Sequence, residues 1–161
     1  MAIVYLGLGS NLGDRAGYLC RAVEAIERLE RIRCHRVSDF YETEPVGGPP
    51  DQRPFINAAA EIETVLNPAT LLERLQNVEQ DLGRPPPPRQ QRWGPRVVDI
   101  DVLLYDDLVF SVSGLTVPHP RMHERWFVLR PLVDLAPEVV HPLLHRTMSQ
   151  LLESSLSVLA S

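Results

Sequence analysis

The sequence predicts an α+β sandwich of the ferredoxin-like kind: βαββαβ order, an antiparallel sheet with both helices on one face, and a C-terminal helical extension. Three observations lead there. Short apolar runs with strand character occur at Ile3 to Leu8, Ile56 to Ile62 and Val98 to Val102. Two intervening segments repeat apolar residues every three or four positions, as helices that need a sheet to cover do. Gly- and Pro-rich connections separate these runs. A chain of 161 residues with ordinary apolar and charged fractions fits one domain with a single sizeable core.

Taken in order, the strand Ile3 to Leu8 ends in Gly7-Leu8-Gly9-Ser10-Asn11-Leu12-Gly13, after which Asp14 is placed to cap a helix. Leu19, Val23, Ile26 and Leu29 give that helix one apolar face. From Cys34 to Tyr41 the pattern is extended, and Val46 to Pro54 is a Gly/Pro loop. Ile56, Ala58, Ala60 and Ile62 then alternate with Asn57, Glu61 and Glu63, as in a half-buried strand. Asn67-Pro68 is an N-cap and first-turn pair for a second helix, with Leu71, Leu75, Val78 and Leu82 on its stripe, Glu79 beside it and Gly83 to close it. After the proline run Pro85 to Pro88, Val97 to Tyr105 reads as a strand, with Val98, Ile100 and Val102 on one face and Asp99 and Asp101 on the other. A helical tail spans Thr147 to Ala160.

Composition removes several function classes. No lysine occurs, so all 16 cations are arginines; this excludes lysine Schiff-base chemistry and a P-loop lysine, and leaves arginine to hold any phosphate. A net charge of −5 argues against broad attraction to nucleic acid or anionic membranes. The N-terminal apolar run meets Gly7 and Gly9 too soon for a signal peptide or a membrane span, so a cytoplasmic protein is expected. Cys20 and Cys34 lack metal or disulfide spacing and are expected to be reduced.

Asp99 and Asp101, two apart on a strand, project from one face close enough for their charges to repel, which a divalent cation would relieve. Magnesium takes one or two carboxylates and completes its octahedron with water and phosphate oxygens. The upstream block Arg92-Trp93-Gly94-Pro95-Arg96 adds two planar guanidinium forks and an aromatic ring, so the two motifs together fit a nucleotide site. The glycine-rich loop resembles a dinucleotide-binding turn, but its third glycine falls one position late; a turn requiring small residues explains it equally well. His119 and His123, like His141 and His145, have zinc-like spacing, but Pro120 and Pro142 break helical geometry, so non-metal roles are expected. In Thr116-Val117-Pro118-His119-Pro120-Arg121, prolines make a rigid segment that would aim His119 and the nearby Arg125 at a phosphate, or serve as a surface turn.

These pieces coincide in one pattern. Gly9-Ser10-Asn11-Leu12-Gly13, Tyr41-Glu42-Thr43-Glu44-Pro45, Phe55-Ile56-Asn57-Ala58, Arg92-Trp93-Gly94-Pro95-Arg96, Asp99-Ile100-Asp101 and Val117-Pro118-His119 together resemble the 6-hydroxymethyl-7,8-dihydropterin pyrophosphokinase family over nearly the whole chain. The resemblance implies magnesium-dependent transfer of the pyrophosphoryl group of ATP to the hydroxymethyl group of the reduced pterin, a step of folate synthesis. It makes Asp99 and Asp101 ligands of two Mg2+ ions, and Arg92 and Arg96 catalytic with them. On the ATP side it places Gln76, Glu79, Arg92, Trp93, Arg96, Val102, Thr116, His119 and Arg125. On the pterin side it places Gly9, Thr43, Val46, Phe55, Asn57, Trp93, Asp99 and Phe127. Asn57 offers a donor and an acceptor to a ring edged with both, and Phe55 and Phe127 offer aromatic walls. Partners beyond ATP and the pterin, whether nucleic acid or membrane, are not expected, and the chain is expected to be a monomer.

Two other readings come from different classes. A non-catalytic ferredoxin-like binding module fits the element order, but the acidity and the missing aromatic RNA-binding signature on the central strands weaken its RNA-binding version. A dinucleotide-dependent oxidoreductase would need regular glycine spacing and repeated βαβ units.

Overall fold

The computed structural model describes residues 1–44, 53–83, 97–112 and 114–160. Val46, the proline run Pro85 to Pro88, Arg84, Arg89, Arg92, Trp93 and Arg96 lie outside the described residues. Elements follow in the order β1 (Ala2–Ser10), α1 (Arg15–Glu27), β2 (Ile32–Val37), β3 (Tyr41–Thr43), β4 (Phe55–Thr64), α2 (Pro68–Asp81), β5 (Asp99–Tyr105), β6 (Phe110–Val112), β7 (Leu115–Val117), α3 (Trp126–Leu135) and α4 (Met148–Ala160). A 3-10 turn, Met122–Glu124, precedes α3.

The main sheet is antiparallel with strand order β2-β4-β1-β5, and β3 continues the β2 edge along β4. Where that edge breaks, Ser38 takes over the ladder: its N–H donates to the Ala59 carbonyl at 2.8 Å and its Oγ accepts from the Ala59 N–H at 2.8 Å. The expected caps are present. Asp14 accepts from the Gly17 N–H at 3.2 Å and Asn67 from the Thr70 N–H at 2.9 Å. Thr147 and Gln150 exchange hydrogen bonds at the start of α4, a reciprocal capping box that satisfies two otherwise orphaned donors.

Each face of the sheet has its own core. Val4, Leu6 and Leu8 of β1, Ala58, Ala60 and Ile62 of β4, and Ile100 and Val102 of β5 pack under Leu19, Ala22 and Ile26 of α1 and Leu71, Leu75 and Val78 of α2. This confirms that the first two helices share one face. The opposite face is also covered: Tyr5, Ala59, Leu103 and Leu104 lie against Leu129, Leu132 and Leu135 of α3 and Leu151 and Leu152 of α4. Each fully buried Leu, Ile or Val among them contributes about 1.5–3 kcal/mol.

Two features depart from simple alternation. The β1–β5 register shifts between Tyr5 and Leu6, so that Leu103 is an extra residue in β5 and both Leu103 and Leu104 reach the α3/α4 core. The helix α3 has no counterpart in the sequence reading. Its segment is apolar almost throughout and contains Pro131, a residue that normally breaks helices; here Pro131 is buried and tertiary packing holds the helix around it.

Candidate functional site

The registers place the sequence motifs on one row across the sheet. Gly9 lies opposite Asn57 on one side and Asp99 on the other, and Gly7 lies opposite Ala59 and Asp101. Directly opposed residues in antiparallel strands point to the same face, so Asn57, Asp99 and Asp101 share the α3/α4 side of the sheet. Lower on that side the helices cover Tyr5, Leu103 and Leu104. At the end of β1 they do not: Asp99 is half-buried and Asp101 exposed. The two aspartate Cα atoms, i and i+2 on a strand, are about 6.7 Å apart.

Glycine makes the floor of this opening. A Cβ on Gly9 would stand 3.1 Å from Asn57 Oδ1 and 3.7 Å from Phe55 Cδ1. Any side chain there would therefore occupy the surface between the amide, the aromatic ring and the carboxylate. Asn57 Nδ2 donates to Thr43 Oγ1 at 2.5 Å, which fixes the amide and ties β3 to β4 beneath the site. The rest of the glycine-rich loop is structural. Gly13 sits at φ 59°, its carbonyl accepts from Arg53 Nη1 at 2.9 Å, Asn11 Nδ2 donates to the Arg53 carbonyl at 3.3 Å, and Arg15 donates to the Pro54 carbonyl at 2.8 Å. The loop thus anchors the chain as it enters β4.

A second group of residues gathers along the outer edge of β5. Glu79 of α2 is buried, and its Oε2 accepts from the Ile100 N–H at 2.7 Å, satisfying a strand donor that faces away from β1. Gln76 is exposed on the same helix. Thr116 is exposed on β7, which packs beside β5 and α2, with its hydroxyl 3.1 Å from that of Ser111. Val102 belongs to this edge only through its main chain, because its side chain is buried in the α1/α2 core.

The turn after β7 links the two groups. The Val117–Pro118 peptide is cis, and the His119 N–H donates to the Leu103 carbonyl at 2.9 Å, pinning the turn to β5. The Arg121 N–H donates to His119 Nδ1 at 3.3 Å; that nitrogen is an acceptor, so the neutral ring carries its proton on Nε2. Burial, then Arg125 and Arg121, push the His119 pKa down to about 4. Burial and Arg121 also hold Arg125 below its usual range, against the attraction of Asp101 and Glu124. His119, Arg125 and Asp101 are therefore electrostatic neighbours. Phe127 follows in the first turn of α3, half-buried and edge-on to Trp126 at 6.3 Å between centroids. Beyond it, Tyr41 Oη donates to Asp134 at 2.6 Å, bracing α3 against β3.

Most site residues expected from sequence that the structure describes thus converge around β5 and the end of β1. Arg121 was not singled out from sequence; its position two after His119 and four before Arg125 was the available signal. The other histidines lie apart: His141 is buried, its Nδ1 accepts from the Leu143 and Leu144 N–H groups, and its ring meets that of His123 edge-on at 6.2 Å.

Comparison with known proteins accords with this arrangement. A family model for 7,8-dihydro-6-hydroxymethylpterin-pyrophosphokinase matches residues 5–137. The chain is 47% identical over 137 residues to the 2-amino-4-hydroxy-6-hydroxymethyldihydropteridine pyrophosphokinase of Bacillus subtilis, covering 85% of this chain and 80% of that one. It is 43% identical over 139 residues to the enzyme of that name from Pseudomonas aeruginosa, covering 86% and 83%. It is also 41% identical over 151 residues to folic acid synthesis protein fol1 of Schizosaccharomyces pombe, covering 94% of this chain but 20% of that longer one. Among solved structures, Plasmodium falciparum HPPK-DHPS with pterin and p-hydroxybenzoate superposes with TM-score 0.75 at 16% identity, covering 99% of this chain and 44% of that one. At that identity the likeness is one of fold, and this chain spans less than half the neighbour's length. With the family model spanning most of its length and close relatives covered over four-fifths of theirs, this chain is an enzyme belonging to the 7,8-dihydro-6-hydroxymethylpterin-pyrophosphokinase family.

Proposed function

We propose that the chain transfers the pyrophosphoryl group of ATP to the hydroxymethyl group of 6-hydroxymethyl-7,8-dihydropterin, with Mg2+, giving AMP and the pterin diphosphate for folate synthesis. The observation that carries the reading is the row Asn57–Gly9–Asp99. It sets a ring-recognising amide and a metal-binding carboxylate on the same surface, with a bare glycine between them.

In this reading the pterin lies over Gly9, its edge read by Asn57 and the main chain near Thr43, and its faces flanked by Phe55 and Phe127; the family resemblance adds Val46 and Trp93 to the pterin-side residues. The nucleotide lies along the β5 edge by Gln76, Thr116 and the Val102 main chain, with Glu79 holding that strand in place. Its phosphates run past His119 and Arg125 toward Asp99 and Asp101, and the family resemblance adds Arg92 and Arg96 to the residues that hold them. Asp99 and Asp101 suit a hard cation: two carboxylates on one strand face match what Mg2+ takes, with the rest of its octahedron filled by water and phosphate oxygens. Asp99 and Asp101 would hold two Mg2+ ions, whose positive charge would offset that of the nucleotide's phosphates.

The chain's own part is alignment. Asn57 and the aromatic walls orient the hydroxymethyl oxygen for in-line attack on the β-phosphorus, with AMP leaving on the opposite side. The neutral Nε2–H of His119 donates a hydrogen bond without needing a proton from solvent, while Arg125, Arg92 and Arg96 offset the charge that builds on the transferring group. No side chain is assigned as general base. The strand order and the two helices on one face support the ferredoxin-like description, and a single-domain, monomeric, cytoplasmic enzyme completes the reading.

The test is AMP release with ATP, Mg2+ and the pterin, run on the wild type, Asp99→Ala and Asp101→Ala. Pterin-dependent AMP from the wild type alone supports the reading. Folded wild-type protein that yields no such AMP removes it.

A further inference from the structure

The turn that carries His119 and Arg125 carries another guanidinium, that of Arg121. This residue precedes the 3-10 turn Met122–Glu124. Its N–H is held by His119 Nδ1 at 3.3 Å, and its carbonyl accepts from the Glu124 N–H at 3.1 Å. The backbone of Arg121 is therefore fixed in the turn that aims the other two groups, and that turn is itself pinned to β5 through Leu103.

The side chain, by contrast, is loosely committed. It is 55% exposed, and its ion pair with Glu124 spans 3.4 Å to a carboxylate that is 56% exposed. Such a surface pair contributes little and is readily exchanged for a more highly charged phosphate group. Arg121 is also near enough to His119 and Arg125 to disfavour positive charge on both. Among the described residues, the carboxylates of Asp101 and Glu124 attract Arg125, and the former belongs to the proposed metal site.

We propose that Arg121 is a further phosphate-binding residue, leaving Glu124 to meet the polyphosphate of the nucleotide when it docks against His119 and Arg125. This rests on the nucleotide site proposed above. It differs from a structural role because the contacts that hold the turn are made by the Arg121 backbone, which substitution of the side chain leaves in place.

The experiment compares wild type, Arg121→Ala and Arg121→Lys in three readouts: calorimetric binding of α,β-methylene-ATP with Mg2+ at low and high salt, KM for ATP and for the pterin, and melting temperature. The expected result is a Kd for the analogue raised roughly fivefold to tenfold in Arg121→Ala, with a shallower salt dependence. The lysine variant should recover part of the loss, and the ATP KM should rise more than the pterin KM. A Kd in Arg121→Ala within twofold of wild type overturns the proposal. So does a loss of affinity matched by a lower melting temperature in both variants, which marks a structural residue. If wild type binds the analogue but makes no pterin-dependent AMP, the functional reading fails while the binding comparison still judges Arg121. If wild type is active and Arg121→Ala binds normally, only Arg121 is lost. Wild type that binds no analogue overturns both.

Discussion

Replacing Glu79 with alanine should loosen the strand that presents Asp99 and Asp101. Strand β5 is an edge of the sheet, and its Ile100 N–H points away from β1 into the Glu79 carboxylate at 2.7 Å. Glu79 is 6% exposed, so water cannot readily take the place of the lost acceptor. Leaving a buried donor unsatisfied costs about 1–3 kcal/mol, counting this hydrogen bond alone. For a chain of this size that is a fall in melting temperature of roughly 3–10 °C. Glu79→Gln keeps an oxygen at the same place and should lose less than half as much. The assay is thermal denaturation of both variants, with amide hydrogen exchange at Ile100 as the local readout. In Glu79→Ala the Ile100 amide should exchange faster than its neighbours in β1, and kcat should fall with it because the aspartates lose their fixed spacing. An alanine variant that melts within about 1 °C of wild type, with Ile100 still protected, would refute the reasoning. Glu79 would then have to act through contact with the nucleotide rather than through the strand.

Other outcomes follow from the same geometry. Asn57→Ala should raise the pterin KM at least tenfold, on the order of one lost charge-neutral pair of hydrogen bonds, with the ATP KM nearly unchanged; steady-state kinetics with each substrate varied decides it. Asp99→Asn and Asp101→Asn should each lower the rate of AMP formation by more than about a hundredfold, and chelation should silence the wild type until Mg2+ is restored. His119 should titrate well below an ordinary histidine, at about 4, as followed by its NMR ring shifts. Because the folded pKa is depressed, the unfolded chain binds more protons between pH 6.5 and 4. The stability contributed by neutral His119 is thus complete above pH 6.5 and lost as pH falls toward 4. Denaturant curves of wild type and His119→Gln should therefore converge over that window.

Apolar runs and their periodicity were sufficient to place β1, α1, β4, α2 and β5: α1 and α2 repeat with the period of the face they bury, whereas β1, buried on both faces, reads as a continuous apolar run. Asp14, Asn67 and Gly83 marked helix ends for local steric and hydrogen-bonding reasons, and the structure has Gly83 at φ 116°. Helix α3 could not be read this way. Buried on a wide face and interrupted by Pro131, it shows no clean stripe and a residue that argues against helix. The short strands β3, β6 and β7, three residues each, are too brief to show a period at all.

For the site, residue types and spacing pointed to the chemistry: an Asp-x-Asp pair on one strand face, arginine in place of lysine for holding phosphate, and an ordered set of motifs specific enough to name a family. Which of those residues meet follows from the folded chain. The antiparallel register, not any local motif, brings Asn57, Gly9 and Asp99 from three strands onto one row. Packing of α2 against the sheet edge makes the Glu79 carboxylate the acceptor for a β5 amide. A turn pinned to the Leu103 carbonyl brought His119, Arg121 and Arg125 together beside Asp101. Residue type and spacing are local properties that a sequence displays. Pairing between strands far apart in the chain depends on how the two buried cores close over the two faces, and that is settled only when the whole chain folds.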